Sequence, residues 1–141
     1  DALYEEALYP GAAHVAQTAP ETSPQLQMSA AQALLMNGDE AGARKSIETA
    51  LELSDEEDRL STLYGALQLR AMLDDKQAAY DLVPELMSLA ENPAEKAAAH
   101  GAASSIYLHF GDFEKAAEHA RDARKLDDTH QRRMALADAL G

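Results

Sequence analysis

The chain has 141 residues, 46% of them hydrophobic, no cysteine and a formal net charge of -13. A domain of this length can bury about 70% of its unfolded surface, so its core needs no metal or disulfide, and the missing thiols exclude disulfides, thiolate metal sites and cysteine nucleophiles together. The acidic balance disfavours nucleic acid, whose phosphates most of the surface would repel, and no apolar run reaches the length of a membrane span.

Taken in order, residues 1–9 place Leu3, Ala7 and Leu8 on one side of two helical turns, which Pro10 and Gly11 stop. A second short helix is expected over 12–18, and the run from Ala19 to Pro24 reads as a connector, with Ser23 as a cap and Pro24 at the first helical position. Residues 1–24 are thus expected to form an arm or partial cap. From 24 to 37 the apolar spacing is helical, and Asn37-Gly38-Asp39 ends it. The next helix carries Ala43, Ile47, Ala50, Leu51 and Leu53 on one side. Ser54 and Glu57 have capping-box spacing, and the acidic run 55–58 is favoured by the dipole of the helix it opens, which explains it without a metal or phosphate-like role.

A third helix over about 58–73 is apolar on several sides, which suits the middle of an assembly. Asp74-Asp75 turns the chain into a fourth helix containing Ala79, Val83, Leu86 and Leu89, in which Pro84 predicts a kink or a late start. Asn92-Pro93-Ala94-Glu95 opens a fifth helix, and Gly111-Asp112 hinges it to a sixth. Phe113, Ala116, Ala117, Ala120, Ala123 and Leu126 share one face of that sixth helix. Asp128 and Gln131, again at capping-box spacing, predict a separate final helix over 129–141. Acidic residues outnumber basic ones 18 to 6 up to residue 110, whereas 111–133 holds 6 of each. Arg121, Arg124, Lys125, Arg132 and Arg133 read as a solvated face paired with Asp122, Asp127 and Asp128, with a docking patch as the lesser alternative.

Aligning the turns exposes a repeat. Ala43, Ala79 and Ala116 are 36 and 37 residues apart, followed at fixed offsets by Ile47, Ala50 and Leu53, by Val83, Leu86 and Leu89, and by Ala120, Ala123 and Leu126. In the first helices Ala31, Ala66 and Ser104 are the equivalent small residues on this alignment, followed three later by Leu34, Leu69 and Tyr107. With Ser104, Tyr107, Gly111, Asp112, Phe113, Ala116, Ala120 and Ala123 as the clearest match, and Ala31, Leu34, Gly38, Asp39, Ala43, Ile47 and Ala50 as the next, the sequence resembles the tetratricopeptide repeat (TPR) family. The resemblance implies an all-α fold: tandem antiparallel hairpins at about 25–55, 58–91 and 93–128 stacked as a right-handed solenoid, capped by the helix over 129–141. The middle unit departs from the pattern. Asp74 stands where the turn glycine belongs, one extra residue is needed between its helices, and Pro84 has no family counterpart; aspartates also replace the usual closing proline.

The resemblance further implies a concave groove lined by the first helix of each hairpin: Gln25, Met28, Gln32, Leu35 and Met36, then Tyr64, Gln68 and Met72, then Ser105, Leu108 and His109. A register shifted by one would offer Leu63, Leu67 and Arg70 instead. Methionines adapt to varied contacts and amides can bond an extended backbone, so the expected ligand is a peptide or helical segment of another protein, with apolar anchors and some basic character. The competing reading is that the N-terminal arm covers these methionines as core. The carboxylate clamp of lysine, asparagine and arginine found in some family members has no match here. No catalytic residue, metal site or cofactor is expected: His14, His100, His109, His119 and His130 are scattered, His119 and Asp122 read as a solvated pair, and Ser104 and Ser105 as packing residues. The functional expectation is an adaptor, or alternatively a scaffold that self-assembles through solenoid ends. The compartment stays open between bacterial cytoplasm and periplasm, since a chain starting at Asp1 reads as a processed or excised product.

Overall fold

The computed structural model describes residues 23–140, and among these the chain is all-helical, with no strand. Its helices are α1 (Pro24–Met36), α2 (Glu40–Leu53), α3 (Arg59–Met72), α4 (Lys76–Leu89), α5 (Pro93–His109) and α6 (Phe113–Leu140). The expected arm falls on residues outside the described ones, apart from its last two: Ser23 accepts from the Leu26 amide (3.1 Å) and Pro24 occupies the first turn, the start the sequence implies.

The chain divides into two compact units, one ending at Asp75 and the other beginning at Lys76. In the first, α1 and α2 form an antiparallel hairpin and α3 packs on both. Small residues allow that approach: Ala31, Ala50 and Ala66 are fully buried, with Ile47, Leu63 and Leu67 filling the space between. In the second, α5 and α6 form the hairpin and α4 packs on α5. Tyr80 of α4 lies against Tyr107 (ring centroids 4.7 Å) and edge-on to Phe110 (5.7 Å), beside buried Ala99, Ala103 and Ile106.

Three turns share one backbone geometry. Gly38, Asp74 and Gly111 all have positive φ, at 85°, 60° and 81°. Each sits in the same pair of hydrogen bonds: Gly38 N–H to Leu35 and Asp39 N–H to Leu34; Asp74 N–H to Ala71 and Asp75 N–H to Arg70; Gly111 N–H to Leu108 and Asp112 N–H to Tyr107. This is the Schellman motif, repeated at intervals of 36 and 37 residues. Asp74 takes the left-handed position because a short carboxylate side chain tolerates it better than other non-glycine residues. The middle turn therefore needs no extra residue, and Arg70, not Leu69, is equivalent to Leu34 and Tyr107. Burial agrees: Gln27, Ala30, Ala31, Ala33 and Leu34 are buried, and so are Leu63, Ala66, Leu67, Leu69 and Arg70, each 36 positions later.

Three further expectations are corrected. The separate helix over 129–141 does not exist, because α6 runs unbroken through Asp128; no glycine or proline lies between Phe113 and Leu140 to stop it. Inside that helix Gln131 donates to Asp127 (3.3 Å) and Thr129 to the Lys125 carbonyl (2.8 Å). Ser54 does not open α3: it closes α2, donating to the Leu51 carbonyl (2.9 Å), while Asp55 accepts from the Asp58 amide (3.0 Å) one turn later. Nor does α4 start late, since Pro84 lies within it on an exposed side, where only the Tyr80 carbonyl forfeits a donor. The apolar face of α6 is likewise wider than α5 covers. Ala116 is buried, whereas Phe113 is 66% exposed and Ala117 and Ala120 are exposed too.

Candidate functional site

Met28, Gln32 and Met36 recur every four residues, so α1 presents them along one face; Tyr64, Gln68 and Met72 do the same on α3. The turn register makes the two sets equivalent, position for position. On the middle helix, Leu63, Leu67 and Arg70 of the shifted set are buried, while Gln68 and Met72 are exposed and Tyr64 is half-buried.

Between the two faces lies a groove of about 200 Å³ lined by Met28, Ser29, Gln32, Gly65, Gln68, Leu69 and Met72. Its walls are thioether and amide, without a charged group. Gly65 forms part of the wall in the middle of α3, where alanine would make a more stable helix. A Cβ at this position would come within 2.9 Å of the Met28 methyl carbon. Met36 (63% exposed) and Met72 (57% exposed) leave thioethers open to solvent.

Of the residues the sequence assigned to the groove, Met28, Gln32, Gln68 and Met72 therefore meet in one place. Leu35, Met36 and Tyr64 lie on the same helices but do not line the cavity. Gln25 is engaged elsewhere, its amide donating to Asp58 at the start of α3 (3.2 Å). Ser105 and His109 belong to the other unit, both exposed on α5 at the positions equivalent to Gln68 and Met72; the His109 ring stands edge-on to Phe110 (4.8 Å). Ser29, Gly65 and Leu69 escaped the sequence reading. Gly65 was the findable one, as a glycine interrupting an otherwise strongly helical segment.

A polar peg holds α3 against α2. Arg44 grips Asp75 with two bonds (Nε to Oδ2 2.8 Å, Nη2 to Oδ1 3.1 Å), and Arg70 donates to the same carboxylate (3.1 Å). Arg44 also reaches the Leu73 carbonyl (3.4 Å). The Arg44 hydrogen bonds, more than those of Arg70, hold the Asp75 carboxyl below the usual carboxylate range against the opposing effect of burial, and Asp75 in turn raises Arg44.

In the second unit the hairpin brings His100 and His119 together, Nδ1 to Nδ1 at 2.9 Å. His119 also stacks on Tyr107 (5.4 Å, planes 13° apart), so it faces other rings rather than forming the simple solvated pair with Asp122 that its helix spacing suggested. Burial first, and His100 second, lower the His119 pKa, while Asp122 and Glu118 oppose them. Ser104 donates to the Ala116 carbonyl (2.7 Å), a packing bond across the same hairpin. Among the described residues no helix is long and apolar enough to cross a membrane, and no three histidine, cysteine or acidic side chains are grouped to hold a metal.

No known protein family, curated protein or solved structure matches the chain.

Proposed function

We propose that this chain is a non-catalytic protein-interaction module of TPR-like hairpins, which holds a peptide or helical segment of a partner protein against the inner faces of α1 and α3. The observation that carries this reading is Gly65. A glycine in a helix interior costs roughly 0.5–1 kcal/mol relative to alanine, and here it leaves open the wall between Met28 and Met72. Loss of helix stability in exchange for a cleft lined by adaptable thioethers and amides fits a binding face better than a core. Apolar anchors suit the lining, and a net charge of -13 favours basic flanks on the partner.

The test compares binding of apolar-anchored peptides with basic or acidic flanks to the native chain, to Gly65→Ala and to Met28→Glu/Met72→Glu. Basic-flanked peptides are expected to bind the native chain at least ~10-fold more tightly than acidic ones, by about 1.4 kcal/mol. Gly65→Ala should bind more weakly while melting no lower than the native chain. Equal binding by all three proteins would sink the groove assignment. A second reading, self-association, is favoured by the exposed Phe113, Ala117 and Ala120 of α6. Mass that rises with concentration, and that Phe113→Glu returns to the monomer, would support it.

A further inference from the structure

His100 and His119 are far apart in sequence, and neither belongs to a metal-binding motif. The antiparallel pairing of α5 and α6 nevertheless sets their rings side by side, with centroids 5.1 Å apart, planes inclined by 37° and Nδ1 atoms 2.9 Å apart. Both rings are half-buried, and the stack of His119 on buried Tyr107 fixes its orientation from the other side. Nitrogens this close can serve one ion once the rings turn so that both lone pairs converge on it.

The contact has a definite proton arrangement. One Nδ1 donates a hydrogen and the other accepts it through its lone pair, so a single hydrogen lies between the two nitrogens. A metal ion bound by both nitrogens would replace that hydrogen bond and lie to one side of the line joining them. Imidazole nitrogens bind first-row divalent ions at about 2.0–2.1 Å, and two such bonds ending 2.9 Å apart subtend about 90°. Tetrahedral coordination would need the nitrogens about 3.3–3.4 Å apart at the same bond length. The spacing thus matches neighbouring positions in a tetragonal shell, the arrangement that Cu(II) and Ni(II) prefer with nitrogen ligands.

We propose that His100 and His119 form a two-point imidazole site for a divalent transition-metal ion of tetragonal preference, Cu(II) or Ni(II), with solvent completing the shell. On binding, both Nδ1 lone pairs go to the metal. The hydrogen on the donor ring leaves Nδ1 and is replaced by one on Nε2, so both imidazoles stay neutral, no net proton is released and no electron moves. Asp122 and Glu118, which act electrostatically on His119, favour a cation there. With two protein ligands the ion exchanges readily, and its effect is to clip α5 to α6. Because it binds only the folded hairpin, it stabilises it by linkage.

The test titrates Ni(II), Zn(II) and Cu(II) into the full chain, into His100→Gln, into His119→Phe and into His109→Gln. The phenylalanine keeps a ring on Tyr107, and the last variant removes an exposed histidine of the same helix. Native protein is expected to take up one Cu(II) with a two-nitrogen pattern in its electron paramagnetic resonance spectrum, to bind Ni(II) at least as tightly as Zn(II), and to melt higher with Ni(II). His100→Gln and His119→Phe should each lose the two-nitrogen pattern and at least ~10-fold in Ni(II) affinity with helicity unchanged, while His109→Gln keeps both. Unchanged binding in His100→Gln and His119→Phe would overturn the site, as would the same loss in His109→Gln. Tighter binding of Zn(II) than of Ni(II) would overturn its tetragonal geometry. If His119→Phe loses helicity, the result for His100→Gln decides alone.

Discussion

Replacing Asp75 with asparagine tests whether the peg between α2 and α3 holds the first unit together. The substitution keeps shape and one acceptor oxygen but removes the charge that three guanidinium bonds converge on. Bonds to charged groups contribute about 1.5–3 kcal/mol each, yet these share one acceptor and do not add. The Arg44 side chain is 36% exposed and can turn to water; the Arg70 side chain, at 10%, cannot, and keeps only Glu48 at 3.9 Å. The expected loss is therefore that of one poorly solvated cation, about 2 kcal/mol, or a melting point roughly 6–8 °C lower. Urea unfolding followed by circular dichroism measures it. Because Asp75 titrates below its unfolded value of about 3.9, its contribution is complete above that pH and fades as the pH falls through the folded value. The gap between native and Asp75→Asn should accordingly close in acid. Adding Arg70→Met to Asp75→Asn should restore part of the loss, since the stranded charge is gone. A loss under about 0.5 kcal/mol, or a double variant weaker than the sum of its parts, would refute the peg.

The turns offer a matched comparison. Gly111→Ala should cost about 1–2 kcal/mol at its φ of 81°, whereas Asp74→Gly, at a φ of 60° already held by a tolerant residue, should be neutral or stabilising; thermal melts of both variants decide. Asn92→Ala, which removes the side-chain acceptor for the Glu95 amide (2.8 Å), should cost about 1 kcal/mol and speed amide exchange in the first turn of α5. His119 titrates below its ordinary value of 6.5 in the folded chain, so stability is complete above that pH and falls as the pH drops through and below it. His119→Phe should flatten this part of the urea-midpoint profile between pH 8 and pH 5, and an unchanged slope would refute the burial of the imidazole.

How much was legible followed the chemistry of each position. Helices and caps at Ser23, Asn92, Gly38 and Gly111 were read correctly because their signals are local. The final break at Asp128 was misread because a capping-box spacing inside a run of strong helix formers stops nothing. The middle register failed for a different reason. Hydrophobic alignment matched Leu69 to Leu34, since it cannot accept an arginine in a core position, and only the turn hydrogen bonds put Arg70 there. The four-residue spacing already placed Met28 with Gln32 and Gln68 with Met72 on shared helix faces, but Gly65 gains its meaning only from the nearby Met28. His100 and His119 could not be paired without knowing the hairpin register.

These failures point to one layer of the repeat. Leu34, Arg70 and Tyr107 occupy the same backbone position, each accepting through its carbonyl the shorter of the two bonds of its turn. Constant backbone geometry leaves the side chain there free to vary as long as it is buried and satisfied. Leucine packs by apolar contact alone; arginine recruits Asp75 and through it Arg44; tyrosine recruits the stacked His119 and through it His100. The buried arginine brings partners with it, because an unpaired guanidinium would cost more than the packing returns, whereas the tyrosine offers His119 a ring face to stack on. The repeat therefore acquires special chemistry one turn before the Schellman aspartate at Asp74 and the Schellman glycine at Gly111. Exchanging Tyr107 for leucine should thus loosen His119 and His100 together, while leaving the turn at Gly111 intact.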